Sequence, residues 1–162
     1  MIILIKDNTL LFDDFKFKCC IGKNGSSYSK IEGDKRTPKG LYSIGDLFYR
    51  ADRIKNIKTK LKKIKINKKM GWCDDPNNRK YNKLVTINKT IKCERLFRKN
   101  ENYDLLIPVK YNFKKSKKKR GSAIFLHLTR NYNKTLGCIA IKKKDMLILL
   151  KLINQNTKIK IF

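Results

Sequence analysis

The chain has 162 residues, which reads as one compact domain, and its 41% hydrophobic content is enough for a core and excludes wholesale disorder. No apolar run approaches the roughly 20 residues that a membrane-spanning helix needs. Lysine and arginine number 41 against 13 acidic residues, a formal net charge of +28 that points to a polyanionic partner unless something simpler supplies it.

The opening stretch MIILIKDNTLLFDDF is interrupted by Lys6, Asp7 and Asn8. That apolar run is too short for a signal-peptide core and no small-residue cleavage site follows, so no export signal is expected from it. Runs of β-type residues predict strands at 2–5, 15–21, 41–44, 84–87, 105–111, 123–128, 137–141 and 158–162. Breakers separate them: GKNGSS at 22–27, GDKRTPKG at 33–40 and DDPNN at 74–78. A weaker helical pattern covers 47–60. A stronger one lies near the end, where Asp145 suits a first turn and Met146, Leu149, Leu150 and Ile153 recur at helical spacing. The expected fold is mainly β, a sandwich or open barrel with one or two helices.

The charge has a bland explanation. Lysine, asparagine and isoleucine together make up 68 of the 162 residues, and A/T-rich codons encode all three. Lysine outnumbers arginine 33 to 8, whereas base and phosphate forks favour arginine. The basic runs at 58–69 and 114–120 also lack interleaved aromatics for stacking on single strands. These features argue against nucleic acid as the partner and for a solvated basic surface. The five cysteines show no CxxC pair and no metal spacing, and the chain has a single histidine, so no structural zinc site is expected. Four of the cysteines read as small buried hydrophobes.

The fifth, Cys138, stands apart. His127 ends the apolar run GSAIFLH and Cys138 opens another in TLGCIAI, with a polar loop between them that would join adjacent strands. A neighbouring imidazole can turn a thiol into a nucleophile. Gly137 lets backbone approach a ligand and leaves the amides of Gly137 and Cys138 for a developing oxyanion. A cysteine and a histidine at this spacing are also compatible with purely structural roles.

TLGC after an upstream histidine resembles the active-site segment of the L,D-transpeptidase catalytic domain, the YkuD-like family of cell-wall enzymes. The common form of that segment is Ser/Thr-His-Gly-Cys, a hydrophobic residue, then Arg or Asn. Here Thr135, Gly137 and Cys138 match, while Leu136 replaces the second histidine and Ala140 the later polar residue. The chain looks closer to a divergent, proteobacterial-type branch with Thr-x-Gly-Cys. GKNG at 22–25, KIEGDKRTPKGLY at 30–42, GWCDDPNNRKYN at 71–82, YDLLIPVKYN at 103–112 and GSAIFLHL at 121–128 resemble that branch too.

The resemblance implies a β-sandwich-like fold, Cys138 as nucleophile and His127 as general base and later acid. It implies a peptidoglycan stem tetrapeptide as donor, cleaved with loss of its terminal D-Ala, and an amine or water as acceptor. No metal or organic cofactor is called for. Substrate contacts are expected from Lys30 and Arg36 towards carboxylates, from Asp74 and Asp75 towards the ammonium of the stem diamino acid, and from Thr135, while Tyr81 and Ser122 are expected to orient His127 or the substrate. Each has a plainer reading: the 30–40 segment shapes a turn, and Asp74 and Asp75 cap one. Trp72 reads as a core anchor. The implied substrate places the protein in the periplasm or cell envelope, where anionic polymers would also meet its charge. The competing readings are a same-site L,D-carboxypeptidase or murein peptide hydrolase and, from another class, a basic binder of nucleic acid or another anionic polymer.

Overall fold

The computed structural model describes residues 1–162. Alternation of apolar and polar residues buries every second side chain of β1 (Ile2–Lys6) and β2 (Thr9–Phe12), and β3 (Phe15–Cys20) completes a meander with them. The short β4 (Ser26–Ser27) and β5 (Thr37–Pro38) pair in a ribbon of their own. Then come β6 (Gly40–Ser43), β7 (Leu47–Tyr49), β8 (Lys63–Lys65), β9 (Met70–Cys73), β10 (Leu84–Thr86) and β11 (Cys93–Arg95). The chain ends with β12 (Leu105–Pro108), β13 (Phe125–Leu128), β14 (Ile139–Ile141), helix α1 (Lys143–Leu152) and β15 (Lys158–Ile161).

Ten strands form one mixed sheet in the order β6-β15-β1-β2-β3-β14-β13-β12-β7-β8. Pairing is parallel at β1–β15, β13–β14 and β7–β8, and antiparallel elsewhere. The sheet curls, so that Ile3, Leu10 and Phe17 from one half share a core with Leu105, Leu126 and Ile139 from the other. Helix α1 lays Met146, Leu149 and Leu150 on that core, with Asp145 in its first turn and Lys151 in its last, each matched to the helix dipole.

Every residue of β12, β13 and β14 is buried, which is why these strands read as unbroken apolar runs. Their second face carries Leu106 and Phe125, packed against Trp72 and Leu96 from the three-stranded sheet β10-β9-β11 and its exit. Trp72 is thus the core anchor expected of it. The fold is mainly β and sandwich-like, as anticipated, with one helix.

The helical reading of 47–60 fails. Leu47–Tyr49 is strand β7, and Arg50 then folds a turn, bonding Asp52 through Nε (2.8 Å) and Nη2 (2.6 Å) and Arg98 O through Nη1 (2.6 Å). Asn56 has φ 56°, which no right-handed helix can accommodate. Ile54, Ile57 and Leu61 are buried at helix-like spacing, but by a loop wrapped on the core. Of the run at 105–111, strand β12 covers 105–108; Val109 still donates to Ile124 O (2.9 Å) and bridges Ile44, and the chain then leaves the sheet.

Candidate active site

β13 and β14 lie side by side in parallel, with Leu126 opposite Ile139 and His127 opposite Ala140. Strand alternation then puts Phe125 and His127 on the same face as Cys138 and Ala140. Cys138 and His127 are therefore diagonal neighbours on one sheet face, the relation expected from their flanking runs. The thiol is half-buried; it donates to Ala123 O (3.2 Å) and accepts from the amide of Phe125 (3.4 Å), with no hydrogen bond to the imidazole.

Ala123 holds φ 51°, a conformation that only surrounding structure can impose on a non-glycine residue. Buried Asn82 imposes it: its Oδ1 accepts from Ala123 N (3.0 Å) and Trp72 Nε1 (2.9 Å), and its Nδ2 donates to the carbonyls of Tyr111 and Asn112. The side chain of Asn82 thereby fixes the carbonyl that receives the thiol proton.

The turn before Cys138 is knotted by Thr135, whose hydroxyl donates to Cys138 O (2.6 Å) and accepts from Gly137 N (3.1 Å). Gly137 has φ 140°, and a Cβ there would stand 2.9 Å from Arg36 O, so both conformation and space demand glycine. Of the two amides expected to face an oxyanion, that of Gly137 is engaged by Thr135, while that of Cys138 donates to no protein group.

His127 is buried and its Nδ1 lies 2.9 Å from Leu128 O. A carbonyl only accepts, so Nδ1 carries the proton of the neutral ring and Nε2 is the basic atom. Burial pulls the imidazole down to about 4, with the Arg98 charge adding to it and the carbonyls of Leu128 and Asn102 opposing. Burial pushes the Cys138 thiol up to about 12; the Glu94 carboxylate adds, while the Phe125 amide, Arg98 and Lys30 oppose. At neutral pH the resting pair is thus thiol and imidazole, not thiolate and imidazolium.

Both side chains open into a cleft of about 1050 Å³. All three glutamates of the chain, Glu32, Glu94 and Glu101, line it, as does Asp74. Glu94 accepts from Tyr103 Oη (2.5 Å) and Arg98 Nη2 (2.5 Å), and the Tyr103 ring meets His127 edge-on at 5.2 Å between centroids. Asp74 Oδ1 is buried without a hydrogen-bond partner. Burial raises the Asp74 carboxyl, Glu32 and Asp75 raise it further, and Lys92 opposes them.

Residues 1–161 match the family model of the YkuD L,D-transpeptidase catalytic domain. The chain belongs to this family. No curated protein matches it significantly. Among solved structures it is similar to the helical cell shape determining protein Pgp2 from Campylobacter jejuni, at TM-score 0.56 and 18% identity, over 99% of this chain and 46% of that one. It is also similar to Bd1075 of Bdellovibrio bacteriovorus, at TM-score 0.52 and 17% identity, over 99% of this chain and 47% of that one. The chain thus spans less than half the length of either protein, and the likeness shows a shared fold.

Within this L,D-transpeptidase-family cleft, Cys138, His127, Gly137, Thr135, Ser122, Asp74 and Lys30 come together. The others do not. Arg36 is exposed outside the cleft, and Asp75 caps the turn at 75–78 through Asn77 N (2.9 Å). Lys30 is buried and its ammonium is bound by Asp34 Oδ1 (2.6 Å), so it offers no free cation. Tyr81 and Ser122 both donate to Glu32 Oε2 rather than to His127. Glu32, Asn82, Glu94, Arg98 and Tyr103 escaped the sequence reading. Glu32, Asn82 and Tyr103 sit inside family-like segments, whereas Glu94 and Arg98 carry only an i,i+4 charge pairing as a signal.

Proposed function

We propose that the chain is a cysteine L,D-transpeptidase acting on peptidoglycan stem tetrapeptides. The observation that carries this reading is the placement of the sole histidine and Cys138 on one face of adjacent strands, at the cleft of a domain of this family. His127 Nε2 takes the thiol proton as Sγ attacks the carbonyl at the L-centre of the diamino acid. The carbonyl oxygen, now anionic, meets the free amide of Cys138 and, with a shift of Thr135, that of Gly137. The C–N bond to D-Ala then breaks, and the imidazolium returns its proton to the departing amine, leaving a thioester on Cys138. An amine of a second stem resolves the thioester into a cross-link; water would give a tripeptide instead.

Because the resting pair is neutral, proton transfer accompanies attack rather than preceding it. Asp74, with its unpartnered buried oxygen, receives the ammonium of the diamino acid, with Glu32 next along the wall. This reading places the protein in the periplasm or cell envelope.

Incubation with a disaccharide-tetrapeptide tests it. D-Ala release by wild type, none by Cys138→Ala, and a raised KM with kcat retained in Asp74→Asn are the expected results. Cross-linked dimer among the products marks a transpeptidase and tripeptide alone a carboxypeptidase. Equal D-Ala release by Cys138→Ala would overturn the assignment.

A further inference from the structure

Cys73 and Cys93 face each other across the β9–β11 ladder, outside the lining of the cleft. Leu96 N donates to Met70 O, which makes that position, one step past the paired stretch, a hydrogen-bonded one. Antiparallel alternation then makes Glu94–Trp72 hydrogen-bonded and Cys93–Cys73 a non-hydrogen-bonded pair. The backbone of Cys73 agrees, since its N–H and C=O turn the other way, to Lys83 O (2.9 Å) and Asn82 N (2.8 Å). At such a pair the Cα atoms stand about 4.5 Å apart, within the roughly 4.4–6.8 Å that a disulfide spans.

Opposed residues share a face, so both side chains project on the same side of the sheet. Both thiols are free. Cys93 Sγ leans over Gly71, 2.5 Å from where a Cβ would stand, so bond formation with Cys73 requires it to leave that space by rotation about χ1. Cys93 is partly exposed and Cys73 wholly buried, which fixes the order in which a reagent meets them.

We propose that Cys73 and Cys93 are a reversible cross-strand disulfide site that locks one wall of the cleft. The next residue after each cysteine, Asp74 and Glu94, lines the cleft, so the bond would tie together the two strands that present these carboxylates. The oxidant is a small disulfide. The Cys93 thiolate attacks one of its sulfurs and expels one thiolate, giving a mixed disulfide. Cys73, deprotonated, then attacks the Cys93 sulfur and expels the second. Two protein thiols lose two protons and two electrons, and the reagent leaves as two thiols. The burial that raises both thiols makes formation slow near neutral pH.

The test is oxidised glutathione at mildly alkaline pH on folded Cys138→Ala, which removes the one thiol that lines the cleft. Intact mass should fall by two hydrogens, alkylatable thiols should drop from four to two, and digestion should yield one linked peptide pair carrying Cys73 and Cys93. Adding Cys73→Ser should leave a stable glutathione adduct on Cys93, and adding Cys93→Ser should leave no adduct on buried Cys73. Four alkylatable thiols after equilibration, or a persistent glutathione adduct on Cys93 while Cys73 is present, would overturn the proposal. None of these readouts depends on the enzymatic activity.

Discussion

A thiol held near 12 beside an imidazole held near 4 is a poised but uncharged pair. The same burial causes both shifts, because each charged form would sit among Phe125, Tyr103 and Ala123 with few compensating donors. Alkylation of Cys138 by iodoacetamide, followed by peptide mapping, should therefore rise steadily from pH 6 to 10 without levelling off. A plateau between pH 5 and 7 would reveal a preformed thiolate–imidazolium pair and contradict this account. The sequence made these two residues visible because one is the only histidine and the other follows a glycine. Glu32 was invisible for a physical reason: its partners Tyr81 and Ser122 come from distant parts of the chain and meet only after folding. Asn82 carries no signal of its own in the sequence, because its amide bridges Trp72, Ala123 and the 111–112 backbone only in the folded chain.

At the scale of elements, the site rests on a parallel strand pair and the turn that feeds β14. The Thr135 hydroxyl spans that turn from Gly137 N to Cys138 O, so it acts on Cys138 through backbone. Thr135→Val should lower kcat for D-Ala release by about tenfold with little change in KM, and Thr135→Ser should restore it, since one or two hydrogen bonds are at stake. Full activity in Thr135→Val with loss in Thr135→Ser would mean that methyl packing matters and the hydroxyl does not. The strands flanking the site were legible as apolar runs because both faces of β12, β13 and β14 are covered. Residues 47–60 misled because their apolar spacing serves a loop, which Asn56 and the Arg50–Asp52 pair hold out of helical geometry. The short β9 and β11 gave no period to read, although β11 carries Glu94 to the site and β9 leads directly into Asp74.

Across the whole molecule the formal charge is +28, and the cleft sets all three glutamates among lysines and arginines, with Glu94 and Glu101 paired to Arg98 and Arg130. Stability should also carry the mark of His127. Its folded value near 4 lies below the ordinary 6.5, so between these the unfolded chain takes up the proton first. Stability is lost as pH falls through that window, by about 3 kcal/mol at its lower end. Asp74, Glu94 and Asp104 are raised and act in the opposite sense, so the difference between wild type and His127→Gln in urea melts from pH 7 to 4 isolates the histidine. A constant difference would show that His127 is not buried as a neutral ring.

The most direct test of the central claim is intact-mass spectrometry of wild type and Cys138→Ala after exposure to a carbapenem and, separately, to a disaccharide-tetrapeptide. An acyl adduct on wild type alone, mapped to Cys138, is the predicted result. Folded wild type with a free Cys138, no adduct and unchanged tetrapeptide would contradict it.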